Sequence, residues 1–304
     1  MPTEPKAEIK GLKAEGGFMF PLGENAKIGV AAPSGVVDPV MFAKGMARIR
    51  GVGWAVEADE AVLGAMRYLA GDEAVRKASL LRLARRQPDL IIAARGGYGA
   101  MRLLDHLSCE ELAGLPLFMG FSDATALLVR LVGLGACAIH GPTVQALATA
   151  SSETVDALAG LFTQGFFPSP LGAAWEALVP GEGGGVLTGG NLTTLAHLCG
   201  TPFQPDFSGC ILALEDVHEA PYRMDRALTQ MRLSGALSGV AGVMVGECLH
   251  CGETMARDAV FQDIFAPLGI PVVTGGRFGH GATNLPMLFG VRVELSSDTG
   301  FRYV

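Results

Sequence analysis

The sequence lacks three features that would each indicate a particular class of protein. It has no basic run, and its 23 lysines and arginines are outnumbered by 30 aspartates and glutamates. Nucleic-acid binding is therefore not expected, because phosphate recognition depends on clustered positive charge. No apolar run reaches the roughly 20 residues that cross a bilayer, and residues 1–6 do not resemble a signal peptide. We expect a soluble, cytoplasmic protein of enzyme size.

Cofactor and metal motifs are also missing. The loop Gly96-Gly97-Tyr98-Gly99 matches neither the dinucleotide-binding nor the Walker pattern. Cys248 and Cys251 form one Cys-x-x-Cys pair, but a closed zinc site needs four ligands and the chain has no second pair. We therefore expect no cofactor and no metal, and we interpret the cysteines as reduced core thiols.

Short apolar runs alternate with helical patterns along the chain, which favours an α/β fold with an open, mostly parallel sheet. The run at 89–94 is continuously apolar, as in a strand that is covered on both faces. Composition changes after residue 148, and residues 180–185 are glycine-rich, which is typical of a connection between domains. We predict an extension (1–23), an amino-terminal α/β domain (24–148), a connecting segment (149–185) and a carboxy-terminal domain (186–304).

The most informative stretch is Gly120-Phe121-Ser122-Asp123-Ala124, where an apolar run turns into a helix. Residues 115–119 are predicted to form a buried strand, and residues 124–131 have helical composition. A serine on such a turn lies beside the free N–H groups of the helix. This is the setting of a nucleophile elbow, although serines that simply cap helices are common. The pentapeptide alone leaves both interpretations open.

A serine nucleophile needs a base and an acid that orients the base. Among six histidines, His280 lies between glycines directly after the predicted strand 271–274, and His140 follows another predicted strand. Glu215 and Asp216 end the predicted strand 211–214. They are candidates for the acid, although helix capping or a salt bridge to an arginine of the next helix would also explain them.

Six motifs in order resemble those of the LD-carboxypeptidases, which include muramoyltetrapeptide carboxypeptidases and microcin-immunity peptidases. The resemblance covers residues from about 25 to 300. The motifs are Arg95-Gly96-Gly97-Tyr98-Gly99, Gly120-Phe121-Ser122-Asp123, His140-Gly141-Pro142, Gly189-Gly190-Asn191-Leu192, Leu214-Glu215-Asp216-Val217 with the run 221–226, and Gly279-His280-Gly281.

The resemblance implies a metal-independent serine peptidase that has Ser122 as nucleophile, His280 as base and Glu215 as orienting acid. The backbone N–H groups of Asp123 and Gly97 would hold the oxyanion. It further implies a smaller, β-rich carboxy-terminal domain, a site in the cleft between the domains, and a homodimer. Family members release terminal D-alanine from cytoplasmic murein tetrapeptides, which recycles cell-wall material.

The sequence indicates the substrate-binding residues less clearly than the catalytic ones. A carboxypeptidase has to bind a terminal carboxylate, and Arg95 is a candidate for this role by location, as is Tyr98 for contact with substrate. A microcin-type peptidase that cleaves peptide–nucleotide conjugates is one alternative. Another serine hydrolase is a second, although the Gly-x-Ser-x-Ala elbow argues against the usual α/β-hydrolases. A non-catalytic nucleotide- or sugar-binding protein is a third.

Overall fold

The computed structural model describes residues 26–163 and 167–304, together with two short paired strands nearer the amino terminus. The remainder of the predicted extension over residues 1–23 lies outside the described residues. The strands are β1 (Lys13–Ala14), β2 (Gly17–Phe18), β3 (Lys27–Ala31), β4 (Ala55–Ala58), β5 (Leu90–Ala93), β6 (Leu117–Gly120), β7 (Ala138–His140), β8 (Leu171–Val179), β9 (Glu182–Asn191), β10 (Cys210–Val217), β11 (Gly242–Leu249), β12 (Val272–Gly276), β13 (Met287–Phe289), β14 (Arg292–Ser296) and β15 (Gly300–Tyr303).

Helices separate many of these strands along the chain. They are α1 (Pro39–Gly51), α2 (Glu73–Arg85), α3 (Ala100–Leu104), α4 (Cys109–Ala113), α5 (Thr125–Gly133), α6 (Val144–Leu147), α7 (Ser152–Thr163), α8 (Leu192–Leu198), α9 (Pro221–Leu233) and α10 (Thr254–Phe265). Within the described ranges, no helix combines the length and apolar character required to cross a membrane.

The amino-terminal half forms a six-stranded sheet in the order β13-β7-β6-β5-β3-β4. All neighbours are parallel except β13, which pairs antiparallel with β7. Every residue of β5 is buried, as its continuous apolar run predicts for a strand covered on both faces. Because the strands are parallel, their carboxyl ends lie at one edge, where α/β proteins bind ligands.

A separate seven-stranded sheet has the order β15-β14-β9-β10-β11-β12-β8. Its central strands β9 to β12 are parallel. β14 and β8 pair antiparallel with β9 and β12, and β15 at the edge pairs antiparallel with β14. The predicted α/β class, with a largely parallel first sheet and a second sheet in the carboxy-terminal region, is confirmed.

Most of the glycine-rich tract, predicted as a connection between domains, lies in a strand. Gly183 and Gly185 lie inside β9, which is hydrogen-bonded to β10 and β14. A Cβ atom on Gly183 would lie 2.1 Å from the carbonyl oxygen of Ala241, and one on Gly185 would lie 2.2 Å from that of Gly209. The glycines therefore serve close backbone packing rather than chain flexibility.

Two strands lie away from the neighbours that chain order suggests. β13, from the carboxy-terminal region, completes the first sheet by pairing Met287 with His140. β8, from the predicted connecting segment, forms one edge of the second sheet. The predicted division at residues 148 and 185 stays a prediction, and the two sheets are joined by more than one crossing of the chain.

Candidate active site

Ser122 lies on a sharp turn between β6 and α5. Its φ angle is +61°, in the left-handed region that non-glycine residues adopt at a cost and that is often found at active sites. The short helical turn at Ser122–Ala124 begins after Phe121, and neither it nor α5 has a side-chain cap. The capping interpretation of Ser122 is therefore wrong, and its side chain remains available for other contacts.

His280 and Glu215 form a close hydrogen-bonded pair. Glu215 lies near the end of β10 with 1% of its surface exposed, and its Oε2 is 2.6 Å from His280 Nδ1. With Nδ1 engaged in this way, Nε2 of the imidazole is left for a second partner. Asn284 helps to hold the loop that carries His280, since its Oδ1 accepts a hydrogen bond of 3.2 Å from the Gly279 N–H.

The pair has shifted proton affinities. Burial acts to lower the pKa of His280, but the hydrogen bond and the negative charge of Glu215 outweigh it and raise that pKa. Burial raises the pKa of the Glu215 carboxyl, and the hydrogen bond from His280 opposes this. An imidazole held by a buried carboxylate is suited to take up a proton from a neighbouring hydroxyl.

A cleft of about 340 Å³ brings Ser122 and His280 together. The ring of Phe121 packs against the His280 imidazole with 4.8 Å between centroids. Within the described part of the chain, Ser122 and His280 are not directly hydrogen-bonded. They lie on the walls of one cleft, so a substrate carbonyl bound there would be within reach of both groups.

The glycine-rich loop borders the serine directly. A Cβ atom on Gly96 would lie 3.0 Å from both Cβ and Oγ of Ser122 and 3.6 Å from the Asp123 nitrogen. Gly97 lines the cleft and has a φ angle of +99°, which favours glycine. Among the described residues, neither the Gly97 N–H nor the Asp123 N–H donates to a protein acceptor, so both are free to bind an oxyanion.

The two predicted substrate contacts lie in different places. Arg95 lines the cleft and donates one hydrogen bond to the carbonyl of Val36, which leaves other guanidinium donors free. Tyr98 is 46% exposed, does not line the cleft, and packs on Tyr68 with 5.9 Å between ring centroids. The structure thus brings Arg95 to the site, and contact of Tyr98 with substrate stays a prediction.

The remaining candidates have structural partners. Asp216 accepts hydrogen bonds from Asn191 Nδ2 at 2.9 Å and from the Thr193 N–H at 2.9 Å, so it binds a free N–H in the first turn of α8, whose N-cap is Asn191. His140 is fully buried among phenylalanine rings, and burial lowers its pKa to about 3. This histidine therefore stays neutral within the apolar core.

The cysteine pair is buried as well. Cys248 and Cys251 are free thiols, and burial raises the pKa of Cys248 to about 12, so its thiolate is disfavoured. Within the ranges that the structure describes, no three histidine, cysteine, aspartate or glutamate side chains cluster to hold a metal ion.

Sequence patterns did not indicate two features of the site. These are Asn284 and the buried carboxylate of Asp123, which accepts a hydrogen bond from the Ala100 N–H. An aspartate directly after the serine could have suggested a structural role. Nothing in the local sequence signals Asn284, because its role depends on a loop contact.

Comparison with protein families gives two matches that follow one another along the chain. Residues 28–141 match the LD-carboxypeptidase N-terminal domain, and residues 184–295 match the LD-carboxypeptidase C-terminal domain. The first match contains Ser122, and the second contains Glu215 and His280.

Individual proteins give the same picture. The chain is 32% identical over 253 residues to the murein tetrapeptide carboxypeptidase of Pseudomonas aeruginosa, covering 76% of this chain and 80% of that protein. It is 24% identical over 252 residues to the microcin C7 self-immunity protein of Escherichia coli, covering 69% and 72%. The crystal structure of a muramoyltetrapeptide carboxypeptidase from Oxalobacter formigenes superimposes with a TM-score of 0.78 at 30% identity, covering 90% of this chain and 96% of that one.

Proposed function

This chain belongs to the LD-carboxypeptidase family and is a carboxypeptidase, and we propose that it releases terminal D-alanine from murein tetrapeptides by hydrolysing an L,D-peptide bond. The observation that carries the proposal is the 2.6 Å contact between His280 and Glu215 at the cleft that also contains Ser122. A hydroxyl, an imidazole and a buried carboxylate are the three groups that serine acyl transfer requires.

In the first half of the reaction, Ser122 Oγ attacks the scissile carbonyl carbon while Nε2 of His280 takes the hydroxyl proton. The bond from Oγ to carbon forms, and a tetrahedral oxyanion develops. Collapse of that intermediate breaks the carbon–nitrogen bond, and His280 returns the proton to the departing amine of D-alanine. Glu215 holds Nδ1 throughout and stabilises the imidazolium that forms.

In the second half, water replaces the amine. His280 takes a proton from the water as its oxygen attacks the acyl carbon, and the bond to Ser122 Oγ then breaks with return of the proton to the serine. The N–H groups of Asp123 and Gly97 would receive the oxyanion in both halves. Each such donor contributes roughly 10²- to 10³-fold to turnover in serine peptidases.

Arg95 supports specificity for a free carboxyl terminus. Of the residues that line the described cleft, Arg95 is the one with a permanently charged cationic side chain. Its guanidinium can pair with the carboxylate of the terminal D-alanine. A substrate that bears this carboxylate would therefore be held with its last peptide bond near Ser122.

The test measures D-alanine release from murein tetrapeptide by the purified protein. Ser122→Ala, His280→Ala and Glu215→Ala should each lower turnover by several orders of magnitude, whereas Ser238→Ala and His197→Ala, at exposed positions, should leave it unchanged. EDTA should have no effect on the rate. Full activity of Ser122→Ala, or strong inhibition by EDTA, would contradict the serine mechanism.

A second substrate belongs in the same experiment. Similarity to the microcin C7 self-immunity protein makes a peptide–nucleotide conjugate the alternative substrate. The higher identity to the murein tetrapeptide carboxypeptidase favours the murein peptide. Turnover of the conjugate alone would keep the mechanism and replace the substrate. Because the chain is a carboxypeptidase, the alternative of a non-catalytic nucleotide- or sugar-binding protein is wrong.

The homodimer and the cytoplasmic recycling role rest on the family resemblance and are part of the proposal.

A further inference from the structure

One peptide group beside the candidate site is held at both ends by buried, ionisable side chains. The Ala100 N–H donates to Asp123 Oδ2 over 2.8 Å, and the Gly99 carbonyl accepts from Arg76 Nη1 over 2.7 Å. Asp123 is 5% exposed and Arg76 is 1% exposed. The carboxylate and the guanidinium therefore act on the same peptide unit, the one from Gly99 to Ala100.

Arg76 is itself fixed by further hydrogen bonds. Its Nε donates to the Gly71 carbonyl at 3.0 Å, and Nη1 also donates to the Pro33 carbonyl. Its Nη2 lies 3.4 Å from Glu73. The planar guanidinium, carried by α2, thus joins three separate loops, and a lysine could not reproduce this geometry because it offers a single nitrogen.

The braced peptide ends the glycine-rich loop that approaches Ser122. At the start of that loop, the Gly96 carbonyl accepts a hydrogen bond of 3.0 Å from the Gly35 N–H. At its end, Gly99 has a φ angle of +133°, and a Cβ atom there would lie 2.8 Å from Arg76 Nη1. The Gly96 carbonyl and the Gly97 N–H belong to one peptide unit, so the Gly35 contact orients that N–H directly. The braced peptide from Gly99 to Ala100 fixes the other end of the loop.

We propose that the carboxylate of Asp123 and the guanidinium of Arg76 are positioning groups that hold the Gly97 N–H in register with the Ser122 hydroxyl. The inference rests on the proposed function, since it assigns the support of the same oxyanion site. Asp123 directly follows Ser122 in the chain, so its carboxylate ties the glycine-rich loop to the residue beside the nucleophile. The Asp123 N–H is then one donor of the oxyanion hole, and the Asp123 side chain supports the loop that carries the other donor, the Gly97 N–H.

Energetic reasoning favours a specific role for these charges. Removing a carboxylate and a guanidinium from water is costly unless both find strong partners. Here Asp123 and Arg76 reach each other through a peptide group rather than by direct contact, so the arrangement fixes the backbone between them. Misplacement of a catalytic group by about 1 Å can reduce turnover by roughly 10²-fold, which is the effect that such a brace would prevent.

The experiment compares Asp123→Asn and Arg76→Lys with the unmodified full chain, using D-alanine release from murein tetrapeptide. Each variant should lower kcat by about 10-fold or more while KM changes by less than about 3-fold, because the brace acts on transition-state stabilisation. Each should also weaken binding of a peptide boronate, which forms a tetrahedral adduct with the serine, by the same factor as kcat. The double variant should lose less than the product of the single losses, since both residues hold one peptide group.

The matched control is Asp59→Asn. Asp59 is a buried aspartate that accepts hydrogen bonds from the Ala61 N–H and from Arg82, and it does not line the cleft. Rates are divided by the native fraction of each variant from near-ultraviolet circular dichroism, so loss of folded protein is not counted as loss of catalysis. If Asp59→Asn loses as much kcat per folded molecule, the effect is general and the inference is overturned.

The inference is also overturned if Asp123→Asn and Arg76→Lys keep kcat within 2-fold of the unmodified chain while Ser122→Ala is inactive. If instead Asp123→Asn will not fold, Arg76→Lys alone decides between these outcomes. Activity that persists in Ser122→Ala is a different result, because it contradicts the proposed function itself.

Discussion

His280 Nδ1 lies 2.6 Å from Glu215 Oε2, although 65 residues separate them in the chain. Glu215 faces an irregularity in the sheet, since Leu214 pairs with Val245 but Asp216 pairs with Cys248. The neighbouring strand β11 thus has one extra residue opposite Glu215. Such bulges re-aim side chains near active sites, and here the bulge lies beside the loop that returns His280 to the acid.

Substitution of Glu215 by glutamine should change the pH dependence of turnover. Glu215 raises the pKa of His280, and the base works only when it is neutral, so kcat/KM of the unmodified enzyme should rise through a midpoint above the ordinary histidine value. In Glu215→Gln, burial without the opposing charge lowers that pKa, so the midpoint should move to lower pH. Turnover at the plateau should fall by roughly 10⁴-fold, as for loss of the charged acid in other triads. A midpoint that does not move would contradict the pairing.

Addition of one methyl group at Gly96 should impair catalysis. In Gly96→Ala the new Cβ would lie 3.0 Å from Ser122 Oγ, so the serine or the loop has to shift. We expect kcat to fall by about 10-fold or more. Gly51→Ala is the control because a Cβ there meets nothing within 4 Å. Steady-state kinetics of both variants check the prediction, and equal rates would contradict it.

Replacement of Arg95 by glutamine should weaken recognition of the substrate carboxylate. Loss of a charge-assisted hydrogen bond of about 1.5–3 kcal/mol should raise KM by roughly 10- to 150-fold. A tetrapeptide with an amidated carboxyl terminus should be a poor substrate for the unmodified enzyme but no worse for Arg95→Gln than the free acid. Arg292→Gln, at an exposed position in β14, is the control. Equal discrimination by both variants would show that Arg95 does not bind the carboxylate.

Removal of the buried histidine at position 140 should make the protein less sensitive to acid. The pKa of His140 falls from 6.5 to about 3 on burial, so between these values the unfolded chain binds one more proton than the native state. The contribution of His140 to the free energy of unfolding is therefore fully present above pH 6.5. It decreases as the pH falls toward 3, by about 1.4 kcal/mol per pH unit. In His140→Leu the decrease between pH 6.5 and 4 should be shallower by that slope.

Urea unfolding at several pH values measures the difference. The control variant is His197→Leu, because His197 is exposed on α8. The same pH slope in His140→Leu and the unmodified chain would show that His140 titrates normally in the native state.

Local sequence patterns were sufficient to predict much of the secondary structure of the first sheet. Helix α1 (Pro39–Gly51) has its start signals in the local sequence, since Asp38 accepts hydrogen bonds from the first free N–H groups and Pro39 starts the helix. Local sequence did not indicate that residues 183–185 lie in a strand, because their backbone contacts come from segments far along the chain. No local pattern predicted β8 or α10, whose stability depends on partners elsewhere in the second sheet and its covering helices.

The sequence by itself determined the alternation of strands and helices, the turn that presents Ser122, and the order of motifs that identified the family. These properties depend on hydrophobic periodicity and on residues that are close in the chain. Tertiary structure decided which histidine pairs with Glu215, that Asp216 binds the first turn of α8, and that Asp123 and Arg76 hold one peptide group from two sides. Those contacts depend on strand order, burial and the bulge opposite Glu215, which arise only when distant segments pack together.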